Sequence, residues 1–105
     1  MLILANRMSR EKYVCIAANK LLYRRLAGNT ETKSRTMNVA ERMAVEIVKR
    51  FGQTPVQWQQ KHIIWFIDMR VMQLAAGTRR NYKTEVKKIL LALEKRHWLY
   101  CLNRL

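Results

Sequence analysis

Apolar residues recur at helical spacing near the start of the chain. Residues 10–27 contain no Gly or Pro, and a mainly apolar set lies along one side of the segment: Val14, Ala17, Ala18, Leu21, Leu22 and Arg25. This 3.6-residue period predicts a first helix that ends at Gly28, with Ser9 as its N-cap. Residues 28–35 carry no apolar side chain. We therefore expect a solvated loop there, and a subdomain boundary.

A second helix is predicted after this polar segment. It begins near Thr36 or Asn38, because apolar residues return at helical spacing from Val39 onward. The helix is predicted to end at Phe51, where Gly52 provides a residue that readily adopts the left-handed conformation of a helix C-terminus.

The third helix has the clearest start signal in the sequence. Thr54 is placed to cap a helix, Pro55 suits the first helical position, and Gln57 can return a hydrogen bond to the cap. We predict one helix from Pro55 to about Ala75.

This third helix is apolar on two sides. One side carries Val56, Ile63, Ile64, Ile67, Val71 and Leu74, and the other carries Trp58, Trp65, Met69 and Met72. A helix with two apolar sides is usually buried between neighbouring helices. The alternative is that Trp58, Trp65, Met69 and Met72 form a contact face for a second copy of the chain.

A fourth helix completes the pattern. Gly77 and Thr78 are predicted to end the third helix and to cap the fourth. The apolar residues of the fourth helix fall within a stripe about 100° wide, formed by Tyr82, Val86, Ile89, Leu90 and Leu93. The sequence therefore predicts an all-α fold, a compact bundle of about four to five helices.

The charge of the chain points to a polyanionic partner. The sequence has 105 residues, enough for one domain, and its 21 Lys and Arg face seven Asp and Glu, for a net charge of +14. Such an excess favours nucleic acid, although ribosomal, membrane-surface or acidic-protein partners also fit the charge. The apolar start, residues 1–5, is far shorter than a signal-peptide core or a membrane span of about 20 residues. We expect a cytoplasmic protein without a membrane partner.

Residues that could support catalysis or metal binding are scattered. Most acids lie one helical turn from Lys or Arg, which favours ion pairs over an acid–base pair. His62 and His97 lack any metal-binding spacing, and Cys15 and Cys101 are isolated, so buried free thiols are expected. We expect a non-enzymatic protein with no cofactor and no metal.

The basic residues give the candidate binding site. The main cluster stands near the start of the fourth helix, where backbone N–H groups and the helix dipole favour phosphate, and consists of Arg79, Arg80, Lys83, Thr84, Lys87 and Lys88. Arg80, Thr84 and Lys87 are spaced to reach base edges in a major groove, with Lys83 and Lys88 meeting phosphates. Weaker candidates are Gln57, Lys61, Lys20, Arg24 and Arg25. The last three equally suit the negative end of the first helix dipole.

Three stretches of the second half also carry a family resemblance. They are Ser34-Arg35-Thr36 leading into Val39 and Phe51, then Thr54-Pro55-Val56-Gln57-Trp58, then Ala76-Gly77-Thr78-Arg79-Arg80-Asn81-Tyr82 leading into the basic amphipathic helix. In this pattern residues 34–99 resemble the N-terminal core-binding, SAM-like domain of tyrosine recombinases and phage integrases.

The resemblance implies a core-binding-like domain over residues 34–105, preceded by an N-terminal helix and polar loop in residues 1–33. It implies that the helices opening at Thr54 and Thr78 lie near the major groove of double-stranded DNA. The contacts it implies are Gln57, Lys61, Arg79, Arg80, Lys83 and Lys87. The family's catalytic residues belong to a second domain that residues 1–105 do not include. The chain would then be a free-standing module, an accessory or architectural factor of a mobile element, or a fragment of a longer protein.

Two other functions remain open from the sequence. An RNA-binding or ribosome-associated protein has the same charge, although no recognisable RNA-binding module occurs in the sequence. A basic protein-interaction module, similar in role to an antitoxin or inhibitor, would use the same surface to cover an acidic target. If the partner is DNA, a nucleoid-associated location follows.

Overall fold

Residues 9–105 are described by the computed structural model, and they form four α-helices with shorter helical segments between and after them. The α-helices are α1 (Arg10–Leu22), α2 (Thr30–Phe51), α3 (Gln60–Phe66) and α4 (Ala76–Ala92). Three 3₁₀ segments, Tyr23–Arg25, Pro55–Gln57 and Arg96–Arg104, and one π-helical segment, Ile67–Val71, complete the structure. No strand occurs in this part of the chain. The predicted all-α bundle of four to five helices is confirmed. The apolar start, residues 1–5, lies outside the described residues.

Helix α1 begins as the sequence predicts. The Ser9 hydroxyl accepts a hydrogen bond from the Lys12 N–H at 3.2 Å, which satisfies one of the free N–H groups of the first turn. Val14, Ala18 and Leu22 are fully buried. The α-helix ends earlier than predicted, because the chain tightens into the 3₁₀ segment Tyr23–Arg25.

The polar segment 28–35 is helical from residue 30, so the predicted loop is wrong there. The Asn29 side chain caps α2 by accepting the Thr32 N–H at 2.9 Å, and Glu31 lies in the first turn, where the helix dipole favours a negative charge. A capped helix end can extend into solvent without burying any side chain. The predicted division between residues 33 and 34 therefore falls inside a continuous helix. At the other end Gly52, with φ +73°, stops α2 as predicted.

The predicted single helix from Pro55 to Ala75 is wrong. The Gln57 side-chain oxygen does accept the Thr54 N–H, at 3.0 Å, but this cap precedes only a 3₁₀ turn. The backbone of Trp58 is extended, with φ −58° and ψ 137°, and its side chain is 5% exposed. In an unbroken helix Val56 would lie on the same side as Ile63, and Trp58 would lie on the other side. The break buries Trp58 in the core and leaves Val56 74% exposed.

Helix α4 also starts differently from the prediction. Its N-cap is Ala75, and no side chain caps it. Gly77 and Thr78 lie inside the helix, so neither performs the predicted stop or cap. The chain instead leaves the π-helical segment at Met72, whose carbonyl accepts a hydrogen bond from the Arg79 guanidinium at 3.2 Å.

The core forms around α2, which packs against α1, α3 and α4. Its fully buried residues include Met43, Ala44 and Ile47. The C-terminal 3₁₀ segment, absent from the sequence prediction, covers the core with Trp98, Cys101 and Leu102. None of the helices in residues 9–105 is long and apolar enough to cross a bilayer.

Candidate nucleic-acid interface

Helix α4 presents a basic stripe on its outer side. Arg80, Lys83, Thr84 and Lys87 are all exposed, and their i, i+3, i+4, i+7 spacing puts them on one face of a helix. The opposite face is fixed in the core, because Val86, Ile89 and Leu90 are fully buried. The α4 stripe, as we call these four residues, is therefore held in place by the packing behind it.

The α4 stripe has no carboxylate within it. Glu85 is the single acidic residue of α4, and it is 6% exposed on the side that faces α2. One of its carboxylate oxygens accepts a hydrogen bond from the Thr36 hydroxyl at 2.6 Å. The same oxygen lies 3.5 Å from the Lys88 ammonium. The positive charge of the stripe is consequently not balanced by its own helix.

Two residues of the predicted cluster have structural contacts instead. Arg79 is half-buried and donates to the Met72 carbonyl at 3.2 Å, which satisfies the end of the preceding π-helical segment. Lys88 pairs with Glu85 and is half-exposed. The predicted cluster thus divides into an outward stripe and two residues with contacts of their own, Arg79 to the preceding segment and Lys88 within α4.

Of the weaker candidates, Arg25 is the one brought to α4. Its guanidinium donates to the Ala92 carbonyl, at the C-terminal end of α4, at 3.4 Å. Arg25 therefore complements the negative end of a helix dipole, but of α4 and not of its own helix. Lys20 and Arg24 are exposed on α1 and on the 3₁₀ segment that follows it.

Gln57 and Lys61 do not join the site on α4. The Gln57 amide is engaged with Thr54, and its 3₁₀ turn packs against α1. Lys61 is exposed in the first turn of α3. Neither residue lines a cleft beside α4.

Three clefts that share lining residues adjoin α4, and the middle one lies in the seam between α2 and α4. The middle cleft, of about 510 Å³, is lined by Arg35, Thr84 and Lys88 among others. It shares Lys88 with a cleft of about 270 Å³ that contains Arg25. It shares Tyr82 with a cleft of about 250 Å³ at the other end.

Sequence analysis missed two basic residues of this seam. Arg35 and Arg42 line the middle and the Tyr82-end cleft, respectively. They are seven residues apart on α2, which is two helical turns, so they lie on the same face. That spacing is visible in the sequence. The predicted loop over residues 28–35, however, excludes Arg35 from a helix, and the sequence does not show that α2 packs beside α4.

The acids outside α4 are paired mainly between elements. Glu11 lies 3.8 Å from Lys49, Glu46 lies 2.9 Å from Arg70, and Asp68 lies 3.1 Å from Arg104. Within residues 9–105, only Glu31 with Arg35, at 3.8 Å, and Glu85 with Lys88 match the expected pairs within one helix. The Glu46–Arg70 pair lies in the Tyr82-end cleft, whereas the Glu11–Lys49 and Asp68–Arg104 pairs line none of the three clefts.

His62 has a structural contact, and both cysteines are free thiols, with Cys101 buried and Cys15 half-buried. His62 is buried, and its Nδ1 accepts the Gln59 N–H at 2.9 Å, so it caps α3. Burial, and then the charge of Lys61, lowers the pKa of His62. Burial also raises the pKa of the Cys15 and Cys101 thiols. Across residues 9–105 no three potential metal ligands converge.

The four residues predicted as a homodimer face are not presented together. Trp58 is buried in the core, and Trp65 is half-buried with its ring 5.3 Å from that of Phe51. Met69 and Met72 are exposed. The face fails because the helix breaks after Gln57, which turns Trp58 inward.

Comparison of the chain with protein-family models, with curated proteins and with solved structures gives no match. The likeness of residues 34–99 to the core-binding domain of tyrosine recombinases therefore stays a prediction from the sequence pattern.

Proposed function

We propose that this protein binds double-stranded DNA, with the α4 stripe inserted into the major groove. One observation carries the proposal. Three basic residues and a hydroxyl share an exposed face of one helix, and the only carboxylate of that helix is withdrawn into a buried hydrogen bond. An α-helix with its side chains is about 10–12 Å wide, and the major groove of B-DNA is about 12 Å wide.

The side chains of the stripe have distinct uses in this arrangement. Arg80 and Lys87 carry the donors that pair with guanine O6 and N7, and the Thr84 hydroxyl, which donates to the Arg80 carbonyl at 3.3 Å, can accept from a base edge. Lys83 lies at the side of the stripe and meets phosphate. Because the buried face of α4 is packed against the core, little conformational entropy is lost when the helix backbone docks.

The net charge of +14 supports the same proposal. Phosphate contacts by Lys and Arg release counterions from DNA, which makes affinity depend steeply on salt. On this proposal the protein does no chemistry on DNA and acts in the cytoplasm as a nucleoid-associated factor. An accessory or architectural role in a mobile element follows only from the resemblance to the core-binding domain.

The test is fluorescence anisotropy of labelled duplex DNA, single-stranded DNA and duplex RNA across a salt series. The variant carries Arg80→Ala, Lys83→Ala and Lys87→Ala, which preserve the helix because Ala has the highest helix propensity. With about 0.9 counterions released per phosphate contact, loss of the Lys83 contact should make the log–log salt slope for duplex DNA shallower by about 0.9, and loss of the Arg80 and Lys87 base contacts should raise the Kd at every salt concentration.

A matched control removes three exposed basic residues elsewhere, with Arg10→Ala, Lys12→Ala and Arg50→Ala. Duplex DNA should bind best, and the control should keep most of the salt slope. Equal slopes for the two triple variants would contradict the assignment of the α4 stripe. Preference for duplex RNA would contradict the proposal as a whole, because the deep, narrow major groove of A-form RNA excludes a helix.

A further inference from the structure

The seam between α2 and α4 is a second feature that fits a nucleic acid. The middle cleft is lined by residues of both helices, Arg35 among them, and it shares Tyr82 with the cleft that contains Arg42. On α4 the middle cleft extends from Thr78 to Lys88, which is about 15 Å along the helix. Arg35 and Arg42 thus line adjoining clefts beside α4.

Two arginines of α2 give this seam its free positive charge. Arg42 is exposed and makes no ion pair within residues 9–105. Arg35 is paired with Glu31 at 3.8 Å, but the two side chains are 64% and 85% exposed. A pair of that exposure contributes little and is readily exchanged for another anion. Arg70 is not counted as free charge, because its guanidinium lies 2.9 Å from the Glu46 carboxylate.

The seam lies beside the α4 stripe. On a helix with 100° per residue, Lys88 lies about 80° from Arg80 and about 40° from Thr84, on the side of Glu85, which faces α2. A helix in a major groove has a sugar–phosphate strand along each side. The strand on the α2 side of α4 would therefore run along the seam.

We infer that the seam between α2 and α4 binds one sugar–phosphate strand of the same duplex, with Arg35 and Arg42 as its phosphate contacts. This inference rests on the proposed function, because the location of the strand follows from the docking of α4 in the major groove. Arg35 and Arg42 are about 10 Å apart along the axis of α2. That distance matches the axial rise of about three nucleotides in one strand of B-DNA. The ligand is the sugar–phosphate backbone of DNA, which these arginines bind through its charge and without base contacts.

The experiment compares the Arg35→Ala, Arg42→Ala double variant with a Lys12→Ala, Arg50→Ala control in duplex DNA anisotropy across a salt series. The control residues are exposed and line none of the three clefts, and Arg50 lies 8 residues beyond Arg42, about 12 Å further along α2. Loss of two phosphate contacts should make the salt slope shallower by about 1.8. If both proteins bind equally at 1 M salt, the Kd of the seam variant at 0.1 M should be about 60-fold higher than that of the wild type.

A charge-preserving variant separates a phosphate contact from a structural effect. Arg35→Lys with Arg42→Lys keeps both positive charges and should retain most of the wild-type slope. A wild-type slope in the Arg35→Ala, Arg42→Ala protein would overturn the inference. So would a lysine variant with a slope as shallow as that of the alanine variant.

The inference and the proposed function fail in different ways. If the triple variant of the α4 stripe loses salt slope and the seam variant does not, the stripe alone contacts DNA and the inference is wrong. If neither variant differs from its control, both are wrong.

Discussion

A single buried hydrogen bond connects the two helices that form the candidate interface. The Thr36 hydroxyl of α2 donates to the Glu85 carboxylate of α4 over 2.6 Å, and the two residues are 1% and 6% exposed. This oxygen–oxygen distance is typical of hydrogen bonds between a hydroxyl and a charged carboxylate. The bond should therefore fix the spacing of α2 and α4.

Thr36→Val tests this connection because valine has nearly the same shape and lacks the hydroxyl. The substitution leaves the Glu85 carboxylate with the Lys88 ammonium at 3.5 Å as its remaining partner. Hydrogen bonds to charged groups contribute about 1.5–3 kcal/mol. In a domain of this size 1 kcal/mol corresponds to about 4–8 °C in melting temperature. A loss of about 2 kcal/mol should lower the Tm by roughly 8–16 °C.

The measurement is urea and thermal unfolding followed by circular dichroism. Thr84→Val is the matched control, because Thr84 is exposed on α4 and surface changes of this kind usually stay within about 0.5 kcal/mol. In a Glu85→Leu background the cost of Thr36→Val should largely disappear, since both partners are then apolar. A cost under about 0.5 kcal/mol, or an equal cost in both backgrounds, would refute the role given to this bond.

Three further predictions concern helix ends. Gly52 has φ +73°, so Gly52→Ala should destabilise the protein by about 1–2 kcal/mol, and an unchanged urea midpoint would contradict this. Gly77 lies inside α4 with no atom within 4 Å of an added Cβ, so Gly77→Ala should stabilise by about 0.5–1 kcal/mol; a lower Tm would count against it. His62 must be neutral to accept the Gln59 N–H, and burial and then Lys61 lower its pKa from 6.5. Its unfolded form therefore binds protons more readily, so its contribution to stability is complete above pH 6.5 and is lost as the pH falls through the folded-state pKa. His62→Gln should flatten the decline in urea stability between about pH 7 and 5, and an unaltered pH profile would exclude this role.

Local signals in the sequence predicted helix ends well where three or four residues decide the outcome. The Ser9 cap, the Gly52 stop and the hydrogen bond between Thr54 and Gln57 are all formed. The predicted cap at Thr78 is wrong, because a capping residue in the sequence does not show whether a helix has already begun before it. Helix α4 starts at Ala76, two residues before the predicted cap.

Predictions that depended on burial were less reliable. The absence of apolar residues in segment 28–35 indicates only that this segment is exposed, and α2 extends through it because Asn29 caps the helix outside the core. The break at Trp58 has no local signal, since it depends on where the rest of the core accepts an indole ring. Its ring nitrogen is buried and has no hydrogen-bond partner within residues 9–105, and the ring packs in the hydrophobic core.

Only the part of the candidate site that depends on local sequence signals was predictable. The α4 stripe needs only the helical period and the charges of one segment, and both are present in the sequence. The seam needs the packing of α2 beside α4, together with the helical state of residue 35. Arg35 and Arg42 therefore became candidates only once the two helices were placed side by side.

The arrangement of charge along α4 is itself an argument for a polyanionic partner. Arg80 with Lys83, and Lys83 with Lys87, are like charges at i, i+3 and i, i+4, and each such pair destabilises a helix by a few tenths of a kcal/mol. A glutamate among them would relieve this repulsion, yet the only glutamate of α4 is turned inward to Thr36. Three of the other acids form ion pairs between elements elsewhere. The packing of Val86, Ile89 and Leu90 thus holds a self-repelling surface on the outside of the bundle, and that repulsion is relieved when phosphates lie against it.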